Sequence, residues 1–160
     1  MRRLAAALLL AAGPAGAGDL AVVTSQTAQA VSVVDLDSGA VRVTVPVAGA
    51  PAPVAYDPSA GRAYVISAET GALTVLGADG AVLRQQALGE GSFGIALDPA
   101  AGRMFVTDWY GARLRCLTLD GAPVPPGMPI LPNPAARLNK TTQANVDDCA
   151  TGGHEWRIAR

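Results

Sequence analysis

The chain carries a near-copy of one of its own segments. Val54 to Val65 reads Val-Ala-Tyr-Asp-Pro-Ser-Ala-Gly-Arg-Ala-Tyr-Val. Further along, Ile95 to Val106 reads Ile-Ala-Leu-Asp-Pro-Ala-Ala-Gly-Arg-Met-Phe-Val. Gly39, Gly80 and Gly121 are separated by the same interval that separates Val54 from Ile95. Around these glycines the pattern is that of β structure. Val41, Val43, Val45 and Val47 are apolar and alternate with Arg42, Thr44 and Pro46, so one face of a strand is buried. Asp37-Ser38-Gly39, Asp79-Gly80 and Asp120-Gly121 are hairpin turn signals, because glycine accepts positive φ without a Cβ clash.

A period of roughly 40–45 residues built from short strands is the signature of propeller blades, and the interval between the two copies falls in that range. A blade cannot bury both of its faces alone, so repeats of this kind stack. Strands are expected at 20–25, 30–36 and 41–47, then at 53–56, 62–67, 72–76 and 81–88, then at 93–97, 104–108 and 113–119. The count is three, four and three. No segment of useful length has helical period. The expected fold is all-β, a partial β-propeller of about three antiparallel blades with an irregular, proline-rich C-terminal tail.

The N-terminus reads as a processing signal. Arg2 and Arg3 form a positive region, Leu4 to Ala12 is apolar but too short to span a bilayer, and Ala15-Gly16-Ala17 is a small-residue cleavage site. Residues 1–17 are therefore expected to be a signal peptide cleaved after Ala17. An Ala-rich, Arg-rich, Lys-poor composition fits a bacterial chain, and hence a periplasmic or secreted one. Without the leader, ten basic side chains face thirteen acidic ones, a net charge of −3. That balance argues against nucleic acid, which requires a concentrated basic surface. No later apolar run is long enough for a transmembrane helix.

The repeats resemble the YVTN-type β-propeller repeat of bacterial secreted proteins, including YncE-like proteins. The resemblance rests on Pro51-Ala52-Pro53-Val54-Ala55, the Asp-Pro-x-x-Gly-Arg turn, Ala63-Tyr64-Val65-Ile66-Ser67, Ser32-Val33-Val34-Asp35 and Gly39-Ala40-Val41. It covers about residues 20–122. The resemblance implies a non-catalytic binding or scaffold module. It also implies an alternative, a piece of a periplasmic quinoprotein or haem-type propeller oxidoreductase.

The repeat stops after Gly121. Residues 123–134 hold six prolines and read as an extended linker, since proline lacks the ladder N–H. Residues 135–160 are polar and lack strand periodicity. Residues 18–122 are therefore the propeller repeats, and 123–160 the linker and tail. A closed propeller of this period needs more blades than these. Three explanations stand: a truncated product of a longer propeller, a short protein that closes by association, or an open arc capped by its own tail. Open blade edges invite a protein partner or self-association.

Candidate chemistry is sparse. Asp108-Trp109-Tyr110-Gly111 ends a strand and enters a loop, where paired aromatics can stack on a planar ligand or partner and Asp108 can anchor a polar group. Arg113 and Arg115 lie two apart on one nearby strand face and can add positive charge. These five residues form the candidate ligand or partner site, weighed against a packed loop with solvated edge arginines. Cys116 and Cys149 form a possible disulfide in an oxidising compartment. His154 with Glu155, Asp147 and Asp148 offers too few ligands in fixed geometry for a metal site. Asp35-Leu36-Asp37 has too few oxygens for calcium and is better explained as a turn. No Gly-x-Ser-x-Gly elbow surrounds a serine, no Cys-x-x-Cys-His is present, and no catalytic set, metal or cofactor is expected.

Overall fold

The computed structural model describes residues 19–124 and 155–157. The expected leader, most of the proline-rich segment, Cys149 and His154 lie outside these residues.

Eleven short strands form three antiparallel sheets, and no helix occurs among the described residues. The first sheet holds β1 (Leu20–Ser25), β2 (Ala30–Asp35) and β3 (Val41–Pro46). The second holds β4 (Pro51–Asp57), β5 (Arg62–Ser67), β6 (Ala72–Gly77) and β7 (Val82–Ala87). The third holds β8 (Ser92–Asp98), β9 (Arg103–Asp108) and β10 (Arg113–Thr118), with β11 (Glu155–Arg157) against the outer edge of β10. Each sheet is a meander, and the initial strands β4 and β8 lie next to each other.

The repeat is exact at the level of strand bounds. Moved by one repeat, the bounds of β4, β5 and β6 become those of β8, β9 and β10. β1 and β2 align with β5 and β6 at an interval greater by one, because the β2–β3 turn is one residue longer than the β6–β7 turn. By this register the first sheet consists of the second, third and fourth strands of a blade.

The prolines sit where strands tolerate them. Pro51 opens β4, and Pro53 lies in the register shift between Pro51 and Val54 on an edge strand. Pro123 departs from the expected linker. It bridges Leu117 in the register that Val82 keeps with Leu76. Val124 follows it into a buried contact with Cys116 and Phe105. A second departure is β11, since the tail was expected to lack strands. Three residues are too short to show alternation, and it is the open edge of β10 that supplies their hydrogen-bond partner. Arg113, Leu114 and Arg115 pair with Arg157, Trp156 and Glu155.

Carboxylates organise the turns. Asp57 Oδ1 accepts from the Ser59 hydroxyl at 2.6 Å, the Ser59 amide at 2.9 Å and the Ala60 amide at 3.3 Å. The Ser59 hydroxyl, above all, holds the Asp57 carboxyl below its ordinary value. Asp98, its repeat partner, accepts from the Ala101 amide at 3.2 Å. Asp35 accepts from the Ser38 amide and hydroxyl and pairs with Arg42, which brings its pKa down to about 2. Asp35 is thus used by its own hairpin, as the turn reading of Asp35-Leu36-Asp37 expects.

The core lies between sheets. Val31, Val45 and Val47 of the first pack on Ala63, Val65 and Leu76 of the second. Tyr64, Ile66, Leu73 and Val75 of the second pack on Met104, Val106 and Leu117 of the third. Each such large side chain contributes about 1.5–3 kcal/mol on burial. The β6–β7 turn joins the first interface. Gly80 has φ +84°, and a Cβ there would meet Val43 Cγ1 at 2.6 Å. Gly80→Val is expected to destabilise by roughly 2–4 kcal/mol, combining backbone strain with overpacking. Thermal melting against wild type checks this, and an unchanged melting temperature would refute the role of the turn.

Candidate binding site

The most distinctive end of the molecule is built by two loops of the third sheet. One enters β8 through Leu88-Gly89-Glu90-Gly91, and the other joins β9 to β10 through Trp109-Tyr110-Gly111-Ala112. The Trp109 amide donates to the Gly91 carbonyl at 2.7 Å. The preceding blade makes the same bond at the equivalent position, from the Ala68 amide to the Ala50 carbonyl at 2.9 Å. Ala50 holds φ 57° and Gly91 φ 85°, so the junction demands a left-handed residue in both blades. At Gly91 the demand is also steric. A Cβ would meet Asp108 Oδ1 at 2.5 Å and the Tyr110 amide nitrogen at 3.0 Å.

Side chains make the two ends different. In the second sheet Ser67 donates its hydroxyl to the Ala48 carbonyl at 2.7 Å. Its equivalent in the third is Asp108, which is only 3% exposed. A buried carboxylate needs donors, and it has them. Oδ1 accepts from the Gly111 amide at 2.7 Å, and Oδ2 from Arg115 Nη2 at 3.1 Å. Arg115 Nη1 also reaches Ser92 Oγ at 3.5 Å, and Ser92 Oγ donates to the Gly89 carbonyl at 2.9 Å. The positions equivalent to Arg115 and Ser92 are Thr74 and Pro51. A charged cluster therefore ties both loops to β10 in this blade and has no counterpart in the preceding one.

Above the cluster the surface is aromatic. Trp109 and Tyr110 are each 79% exposed, and Phe93 is 48% exposed. With Gly91 and Ala68 they line an open cavity of about 310 Å³ at the junction of the second and third blades. Ala68, contributed by the neighbouring blade, is the small equivalent of Trp109 and leaves the space beside the ring.

Of the five expected site residues, the structure brings Asp108, Trp109, Tyr110 and Arg115 to one place. They divide by role. Trp109 and Tyr110 face solvent, while Asp108 and Arg115 lie beneath them in a largely buried ion pair. Arg115 is thus not a solvated edge arginine. Arg113 pairs through its backbone with Asp108 and Arg157. Sequence reading missed Phe93, Gly91 and Ser92. Laying one repeat on the next would have found Phe93, which stands where the preceding blade has Ala52. Cys116 is buried on β10, and Cys149 lies outside the described residues. Among the described residues no group of three or more His, Cys, Asp or Glu is placed to hold a metal. No helix among them is long and apolar enough to cross a membrane.

Solved structures share the fold. Hydrazine synthase from Kuenenia stuttgartiensis superposes with a TM-score of 0.58 at 20% identity, over 64% of this chain and 30% of its own. BamB from Moraxella catarrhalis gives 0.53 at 27% identity, over 68% of this chain and 33% of its own. Apo AztD from Citrobacter koseri gives 0.55 at 16% identity, over 68% and 31%. These are β-propeller proteins. The chain has the β-propeller fold. It spans about a third of the length of each of these neighbours. No protein-family model matches the chain, and no curated protein matches it in sequence.

The buried pair holds the shelf in place. Arg115→Ala leaves the Asp108 carboxylate with the Gly111 amide but without this cation. A loss of about 2–3 kcal/mol is expected, less than for a carboxylate stripped of every donor. Trp109→Ala, at a site this exposed, is expected to change stability by about 0.5 kcal/mol or less. Urea unfolding of both variants separates the support from the surface. Equal losses would contradict this division of roles.

Proposed function

We propose that this chain is an exported, non-catalytic β-propeller binding module of the YVTN type, and that the shelf of Phe93, Trp109 and Tyr110 is its recognition surface. One observation carries the reading. Three exposed aromatics converge on one blade end, at positions where the preceding blade has Ala52, Ala68 and Glu69. Large exposed rings cost little to order when their loop is already pinned, and they offer apolar area with few rotatable bonds. The cavity between them is open and mostly apolar, which suits an extended segment of a protein partner laid across two blades. The Asp108–Arg115 pair acts from below as a positioning device, and Arg113 belongs to the same strand.

Export is supported by the charged, apolar and small-residue sequence over positions 1–17. In an oxidising compartment Cys116 pairs with Cys149 in this reading. Intact mass before and after reduction reads both features: a chain beginning at Gly18 and a reduction-dependent gain of two hydrogens are expected.

Peptide display on the purified full chain tests the surface. Selected peptides are expected to lose affinity by about tenfold or more with Trp109→Ala or Tyr110→Ala, as for a central aromatic hot spot. Binding that ignores both substitutions, or visible absorbance from a quinone or haem in the purified protein, would reject the reading.

A further inference from the structure

A second cavity, of about 170 Å³, opens where the second sheet meets the third. Arg62, Val75, Leu83 and Arg84 of the second sheet line it, with Leu119 and Asp120 from the turn after β10. Arg62 opens β5, whose other end leads into Ala68 beside the aromatic shelf, so the cavity lies at the opposite end of the blade junction. Strand register brings its cations together. Tyr64 pairs with Val75 and Val75 with Arg84, so the three share one face of the sheet, and Arg62 lies on that face two residues before Tyr64. β5 and β7 stand about 10 Å apart, a span across which two arginine side chains can meet on one anion.

Four polar groups at this corner are not used by the fold. Among the described residues the side chains of Arg62, Arg84 and Asp120 make no hydrogen bond and no ion pair. Asp79, the equivalent of Asp120 in the second sheet, closes its own turn by accepting from the Ala81 amide at 3.0 Å. The fourth group is the Tyr64 hydroxyl. Tyr64 is wholly buried, and its hydroxyl has no hydrogen-bond partner among the described residues. Burial pushes this phenol above its ordinary pKa, Arg62 beside it pulls the other way, and Asp120 adds to the rise from across the junction. Packing does not require the hydroxyl, because the equivalent positions are Val22 in the first sheet and Phe105 in the third. A buried donor without a partner is unfavourable and calls for a reason. At the other blade junction Leu20, Val22 and Val43 stand in place of Arg62, Tyr64 and Arg84. Gly80 there packs on Val43. The same corner is lined by apolar side chains once and by two arginines once.

We propose that this corner binds a small zwitterion, a short molecule carrying one carboxylate and one ammonium group. Arg62 and Arg84 take the carboxylate, the Tyr64 hydroxyl donates to it from beneath, and Asp120 takes the ammonium. Two cations and one anion around a cavity favour a ligand with a positive group of its own over a dianion, which Asp120 repels. Val75, Leu83 and Leu119 supply an apolar wall for the carbon chain between the two groups. The volume lies below that of sites for drug-sized ligands and suits a molecule of few heavy atoms. The site shares no residue with the aromatic shelf, and either can fail without the other.

Calorimetric titration and thermal melting of the full chain test the site with glycine, β-alanine and 4-aminobutyrate, which set the two charges progressively farther apart. At least one is expected to bind, and at roughly five times its Kd to raise the melting temperature by about 4–8 °C. Acetate and inorganic phosphate are expected to bind about tenfold more weakly or not at all. Tyr64→Phe is expected to leave the unliganded protein equally or more stable, since only an unpartnered hydroxyl is lost, and to weaken binding about tenfold. Arg84→Gln, at an exposed position, is expected to keep β-rich dichroism and to lose binding. Asp120→Asn is expected to bring the affinity for the zwitterion down to that for acetate. Absence of binding by all of the zwitterions, equal affinity for acetate or phosphate, binding that survives Arg84→Gln, or a Tyr64→Phe protein that melts lower without ligand would each overturn the proposal.

Discussion

Everything in this molecule depends on one contact, the apolar face of one sheet laid on the apolar face of the next. A single short meander cannot bury both faces, and an isolated hairpin is marginal in water. The middle sheet solves the problem because it has a neighbour on each side. Five of the six residues of β5 and four of the six in β6 are buried. β1, the equivalent of β5, has no buried residue at all, although its sequence Leu-Ala-Val-Val-Thr-Ser is just as apolar. The difference comes from position in the stack and not from propensity. Stability is therefore a nearest-neighbour property here, and the Gly80 turn matters because it sits inside such an interface.

Against that uniform frame, the third blade restricts its loops in a different way. Where the second blade uses one neutral hydroxyl, Ser67, to tie two loops together, the third uses a buried carboxylate, an arginine and a serine. Burying charge for a turn that a hydroxyl can close is unfavourable unless the extra rigidity has a use. Directly above it stand two large aromatic side chains exposed to solvent. Exposed rings on a loose loop would collapse onto the nearest apolar surface. Here the Gly111 amide donates to Asp108 and the Trp109 amide to the Gly91 carbonyl, which fixes the backbone that carries both rings.

The strands, their turns and the repeat were legible because each rests on local chemistry. Alternation along Val41–Val47, the Asp-Pro turns and the Asp-Gly hairpins all act within a few residues, and the strand bounds fall within one or two residues of expectation. Asp108, Trp109 and Tyr110 stood out for a related reason, being a local break in a repeat. Phe93 did not, since one phenylalanine in an apolar strand looks like core until its face is known. Arg115 was legible as a charge but not as a buried one, because its partner lies seven residues away across a hairpin. β11 was beyond reach. Its three residues have no strand character of their own and become a strand through the open edge of β10.

That edge separates two problems that a stack of blades must solve. An open strand edge exposes unpaired amides and carbonyls, and backbone from any sequence can satisfy them. The tail does so for β10 with three residues, and Pro123 begins the job in the register of a true fourth strand. An open sheet face is different. It needs apolar side chains at defined positions, with a shape that a short tail cannot supply. β11 pairs with an edge and leaves the valines of the first sheet untouched.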